Sequence, residues 1–129
     1  MSGKIEGGCM CGAIRYELDG EIEVVAHCHC AMCRRSTGAP VVTWAVLPRA
    51  NFRVTKGSMK IYRSSEKGER MFCADCGTQL VFQTSDNPDK LDVSLGSLDD
   101  PDSLTPSCHV GVSGRLNCMT GLGAELPVA

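Results

Sequence analysis

The chain has 129 residues, of which 43% are hydrophobic and 22% charged, with a formal net charge of −2. That length accommodates one domain with a real core, spanning residues 1–129, and the composition excludes a disordered chain. The small net charge leaves no electrostatic footprint for nucleic acid, and no apolar run approaches the ~20 residues of a membrane helix.

In chain order, short β-type runs alternate with turn residues. The opening residues, from Met1 to Gly8, lack the apolar stretch of a secretory leader, so the expected compartment is cytoplasmic. Residues 14–18 alternate apolar and charged side chains and predict a half-buried strand. Asp19-Gly20 then predicts a turn, with residues 22–26 as the return strand of a hairpin. The best helical candidate is the short piece at 30–36. Residues 41–47 form a continuous β-rich run, expected at the centre of a sheet and closed by Pro48. Lys56-Gly57-Ser58 predicts a second hairpin, between 52–54 and 59–62. Strands at 78–82, 91–95 and 109–112 complete the set, and 121–129 reads as a loosely held tail. Fourteen glycines and six prolines punctuate these runs. The fold class is therefore mainly β. With one Trp, two Tyr and three Phe, the core has few bulky fillers, and something else is expected to help hold it together.

Nine cysteines supply a candidate. An odd count without a leader argues against a disulfide framework, and reduced thiols in clusters usually bind metal. The clusters are Cys9-Met10-Cys11, Cys28-His29-Cys30-Ala31-Met32-Cys33 and Cys73-Ala74-Asp75-Cys76; Cys108 and Cys118 stand alone. A zinc site needs thiolates converging at about 2.3 Å from one point, which pairs on tight turns can supply. Cys9 and Cys11 before Gly12, with Cys73 and Cys76 before Gly77, would make a closed structural Cys₄ site. Cys28, Cys30 and Cys33 would then be three ligands with an exchangeable fourth position, the pattern of a catalytic zinc. The same spacings equally allow one ordinary ribbon of Cys30, Cys33, Cys73 and Cys76, with the others as bystanders.

The run from Gly8 to Tyr16, GCMCGAIRY, resembles the opening of the glutathione-dependent formaldehyde-activating enzyme family, which includes the centromere protein V relatives. CHCAMCRRSTG at 28–38 and FCADCGT at 72–78 resemble its second and third motifs, and GSLDDP at 96–101 with His109 its C-terminal part. The resemblance spans about residues 5–112. It implies twisted antiparallel sheets with zinc knuckles, a fold shared with zinc-binding Rab chaperones and class B methionine sulfoxide reductases. It also implies two Zn²⁺ per chain, one structural at Cys9, Cys11, Cys73 and Cys76 and one catalytic at Cys28, Cys30 and Cys33. The implied activity is a carbon–sulfur lyase chemistry joining a small thiol, glutathione or similar, to an aldehyde, as in S-hydroxymethylglutathione formation from formaldehyde. The sequence departs from the family at 116–119, where Leu-Asn-Cys-Met replaces a usual tryptophan region.

Arg34 and Arg35, directly after the last ligand, are candidates to offset thiolate charge or pair with a substrate carboxylate; solvated surface arginines are the plain alternative. Thr43 is a candidate pocket residue, while Trp44 is expected in the core. His29, between two ligands, should point away from the metal, and His27 and His109 read as structural histidines. Two competing functions are a zinc-stabilised binding module without chemistry, and a methionine sulfoxide reductase-like enzyme with Cys118 as nucleophile and Cys108 as its resolving partner.

Overall fold

The computed structural model describes residues 4–129. Ten strands form: β1 (Ile5–Gly8), β2 (Arg15–Leu18), β3 (Val24–Cys28), β4 (Val42–Pro48), β5 (Phe52–Lys56), β6 (Lys60–Arg63), β7 (Gly68–Phe72), β8 (Gln79–Thr84), β9 (Lys90–Ser94) and β10 (Cys108–Val110). One α-helix, α1 (Ala31–Thr37), follows β3 and ends at Gly38 in the left-handed conformation. A three-stranded sheet has the order β1-β2-β5, and a seven-stranded sheet the order β10-β3-β4-β9-β8-β7-β6. Every named pairing is antiparallel except β3 with β10. The mainly β class is as expected, β4 lies inside the larger sheet between β3 and β9, and the short helix is in place.

Neither expected hairpin forms. Gly20 and Gly57 do take positive φ, so both turns exist. After each, however, the chain crosses to the other sheet: β2 pairs with β1 and β5, β3 with β4 and β10, and β6 with β7. The reason lies in burial. Tyr16, Glu17 and Leu18 are all buried, as befits the middle strand of a sheet packed on a core, and a middle strand needs partners on both edges. Sequence reasoning also missed β1 and β7. Glycine pairs and adjacent charges conceal strand periodicity there, in Ile5-Glu6-Gly7-Gly8 and Gly68-Glu69-Arg70.

Strand alternation divides the interior in two. The larger core joins Ile14, Tyr16 and Leu18 of the small sheet to Leu47, Leu80, Leu91 and Val93 of the large one. Val42 and Trp44 lie on the other face of β4, in a second cluster with Cys28 and Cys33. The closing segment carries more structure than its composition suggests. His109 N–H donates to Pro127 O, and Ala129 N–H to His109 O, both at 2.9 Å, which ties that segment along β10.

Candidate functional site

Two loops on different sheets build the first thiol cluster. Cys9 and Cys11 lie between β1 and β2, Cys73 and Cys76 between β7 and β8. Gly12 and Gly77 both adopt φ of +82°, the left-handed conformation each knuckle needs to turn back, and nothing lies within 4 Å of where a Cβ would stand. Ile14 N–H donates to Cys9 Sγ at 3.2 Å, a contact that favours that sulfur in its anionic form, and Cys76 N–H donates to Cys73 Sγ at 3.5 Å. A hydrogen bond with the Thr78 hydroxyl at 3.2 Å is the leading cause holding Cys76 down to about 5. All four sulfurs lie within 4.8 Å of one another; Cys9–Cys11 is 3.6 Å and Cys11–Cys73 is 3.7 Å. Sulfurs bound at ~2.3 Å to one tetrahedral ion stand about 3.8 Å apart, so this donor set can hold a metal ion.

The second cluster gathers where β3 runs into α1. Cys28 ends the strand, Cys30 stands at the helix cap, and Cys33 is the helix's buried residue. Cys28 and Cys33 bring their sulfurs to 3.5 Å. Cys30 lines the same cavity without completing a triangle; among the described residues, the group at Cys9, Cys11, Cys73 and Cys76 is the one with three or more ligand atoms in mutual reach. Gly111 lets the chain pass close to Cys30, since a Cβ there would meet Cys30 N at 3.0 Å.

The cavity has a volume of about 390 Å³. One row of side chains crosses five strands to form its floor: Val24, Val46, Asp92, Phe82 and Arg70, each opposite the next in register. Trp44 and Val110 add apolar wall, and Cys108 adds a buried thiol. Trp44 is thus both core, at 3% exposed, and cavity wall.

Arg70 is the residue sequence reasoning missed. It is only 5% exposed. Its Nη1 donates to Cys33 Sγ at 3.6 Å and Ser36 Oγ at 3.5 Å, and its guanidinium lies 4.7 Å from the Phe82 ring centre. Its Nε, also buried, has no partner. The hydrogen bond with Cys28 is the main reason Cys33 is held down to about 5, with the Arg70 charge adding and burial opposing. The same sulfur–sulfur contact, then burial, pushes Cys28 up. Burial pushes the Asp92 carboxyl up to about 6. No local signal marked Arg70, because its role depends on β7 pairing with β8.

The sequence-stated candidates Arg34, Arg35 and Thr43 lie elsewhere. Arg34 borders a shallow groove with Pro40 and Leu116, and Arg35 is exposed beside Met32 and Tyr62. Thr43 stands on the face of β4 opposite Trp44, with Oγ1 2.8 Å from His27 Nδ1. None of the three lines the cavity. His29 is fully buried, and its Nε2 is 2.9 Å from His109 Nδ1. His109 Nε2 in turn lies 2.8 Å from Gly123 O. A carbonyl only accepts, so His109 carries its proton on Nε2 and accepts from His29 Nε2–H. Cys118 is exposed in the turn Asn117–Met119 and does not border the cavity. Among the described residues no helix is long and apolar enough to cross a membrane.

A mainly β chain with a four-thiol cluster and a second, thiol-lined cavity defines a class of metal-competent β proteins. Within that class the chain belongs to the glutathione-dependent formaldehyde-activating enzyme family, whose model matches residues 4–113. A protein of Schizosaccharomyces pombe, named as an uncharacterized lyase, is 26% identical over 113 residues, covering 88% of this chain and 82% of that protein. A crystal structure of a Rhodobacter sphaeroides protein has the same fold, with a TM-score of 0.63 at 24% identity, covering 96% of this chain and 99% of that one.

Proposed function

We propose that the protein is a zinc-dependent carbon–sulfur lyase that forms or breaks the adduct of a small thiol, glutathione or a close analogue, with an aldehyde. Family membership and the lyase name of the yeast relative support the class. The observation that carries it is the thiol-lined cavity, separate from the four-thiol cluster, since a pure scaffold needs only the cluster.

In this assignment Cys9, Cys11, Cys73 and Cys76 hold a structural zinc, and Cys28, Cys30 and Cys33 a second one. The second ion, when bound, supplies a position at which the substrate thiol is held as thiolate, because a coordinated thiol is deprotonated outright. Arg70 donates to Cys33 Sγ and offsets the negative charge that three thiolates concentrate in an apolar space. Trp44, Phe82 and Val46 exclude water, which strengthens the electrostatics inside and disfavours hydration of the aldehyde. In the joining direction sulfur bonds to the carbonyl carbon, the π pair moves to oxygen, and that oxygen takes up a proton equivalent to the one the thiol released. Asp92, the carboxyl on the cavity wall, is the group placed to pass it on. The reverse steps break the adduct. Arg70 thus takes the charge-balancing role expected of Arg34 and Arg35.

Replacing one cavity thiol tests this. Cys30→Ser is expected to lower formaldehyde–glutathione turnover by about 100-fold or more while far-UV circular dichroism and the melting temperature stay near the parent's. Full activity in that variant would remove Cys30 from the chemistry, and loss of the fold would make it a structural ligand.

A further inference from the structure

Resting on the lyase assignment above, we infer that the cavity selects adducts of aldehydes bearing an apolar substituent of several carbons, rather than a one-carbon aldehyde alone. A one-carbon group occupies little more than the ~30 Å³ of a liquid water. The cavity holds about 390 Å³, within the roughly 300–1,000 Å³ of small-molecule pockets. Its floor beyond the thiols is Phe82, Val46 and Val24, interrupted by the Asp92 carboxyl and ended by Arg70, with Trp44 alongside; the apolar members offer no hydrogen bonds except through the indole N–H. With its one arginine already engaged by Cys33 and Ser36 and its one carboxyl of the wrong sign for glutathione's carboxylates, the cavity leaves those charged ends outside and its apolar space to the carbon chain of the aldehyde.

The polar groups are placed to orient such an adduct. Arg70 sits at one end of the floor row, next to Cys33, where its Nη1 donates to Cys33 Sγ. The hydroxyl oxygen of a thiol–aldehyde adduct, one bond from the carbon that carries both sulfur and substituent, is an acceptor that a guanidinium at the end of the floor can face. Sulfur at the cysteine end, oxygen toward Arg70 and carbon chain along Phe82 and Val46 satisfy all three features of the cavity together.

Trp44 is the chain's single tryptophan and lines the cavity, so its fluorescence reports occupancy. The zinc-loaded protein is titrated with S-methyl-, S-propyl- and S-hexylglutathione, stable thioethers that stand in for the adduct. Affinity should tighten about fourfold per methylene until the cavity is filled, the ratio that ~0.8 kcal/mol per buried methylene gives at 25 °C. Val46→Phe, which fills the floor, should flatten that slope. Equal affinity along the series, or no fluorescence response to any member, overturns the inference. Turnover of aldehydes with glutathione is measured beside it and separates the two proposals. Formaldehyde turnover with no chain-length slope in binding leaves the lyase assignment standing and sinks the cavity inference. A steep binding slope with no turnover of formaldehyde, butanal or hexanal supports the cavity inference and sinks the lyase assignment.

Discussion

A buried guanidinium needs an anion or a cluster of acceptors to offset the water it has lost. Arg70 has Cys33 sulfur, Ser36 and the face of Phe82, and so depends on the thiol site as much as it serves it. Arg70→Met should therefore lower kcat by about 100-fold, the usual loss when one oriented charged donor is removed. Arg70→Lys, which keeps the charge without the planar fork, should recover part of it in the same assay. Tyr16 is the opposite case, a neutral group whose burial is the main cause of a pKa pushed up to about 12. Its hydroxyl is 2.5 Å from Ser97 Oγ. An unfolded tyrosine ionises near 10, so above that pH the unfolded chain sheds a proton that the folded chain keeps. Stability is then fully present below about 10 and is lost as pH rises through 12, by about 2 kcal/mol at pH 12 from this group. Urea melts between pH 9 and 12 should show that extra loss in the parent and not in Tyr16→Phe.

At the scale of elements, the knuckles are the parts most directly written in the sequence. A Cys-x-x-Cys-Gly or Cys-x-Cys-Gly run states both its ligands and its turn, and Gly77 takes the positive φ that its position announces. Since open space surrounds the missing Cβ, Gly77→Ala should cost only the backbone strain of a left-handed residue, about 1–2 kcal/mol, read as a lower melting temperature and faster release of a bound metal ion to a chelator. The hairpins teach the converse. Gly20 and Gly57 mark real turns, yet a turn fixes only that the chain changes direction. Which strand lies alongside afterwards is decided by where a buried edge needs a partner, here β1 and β5 on either side of β2.

At the scale of the molecule, the four-thiol cluster joins the two sheets. Cys9 and Cys11 leave the small sheet, Cys73 and Cys76 the large one, and Cys9 and Cys73 lie within the larger core. With few aromatic residues to fill that core, a metal at this point would contribute folding free energy outright. Cys73→Ser, or a strong chelator, is expected to abolish the cooperative thermal transition of the whole chain. Elemental analysis of the parent should give two zinc per chain and of Cys30→Ser about one, with the fold retained in the latter.

By itself the sequence determined the family, the β class and which thiols cluster. Thiols are short side chains on turns, so their spacing along the chain already says which can converge, and the β class follows from short runs between glycines and prolines. Tertiary structure alone decided what surrounds those thiols. Arg70, Phe82, Asp92, Val46 and Val24 come from five strands, and they form one floor only because register sets each opposite the next. The same pairing turned Thr43 away, since adjacent residues of a strand face opposite sides of the sheet. Arg34 and Arg35 adjoin Cys33 in sequence, but the turn of α1 carries them to other surfaces, and an arginine 37 residues beyond Cys33 meets its sulfur instead.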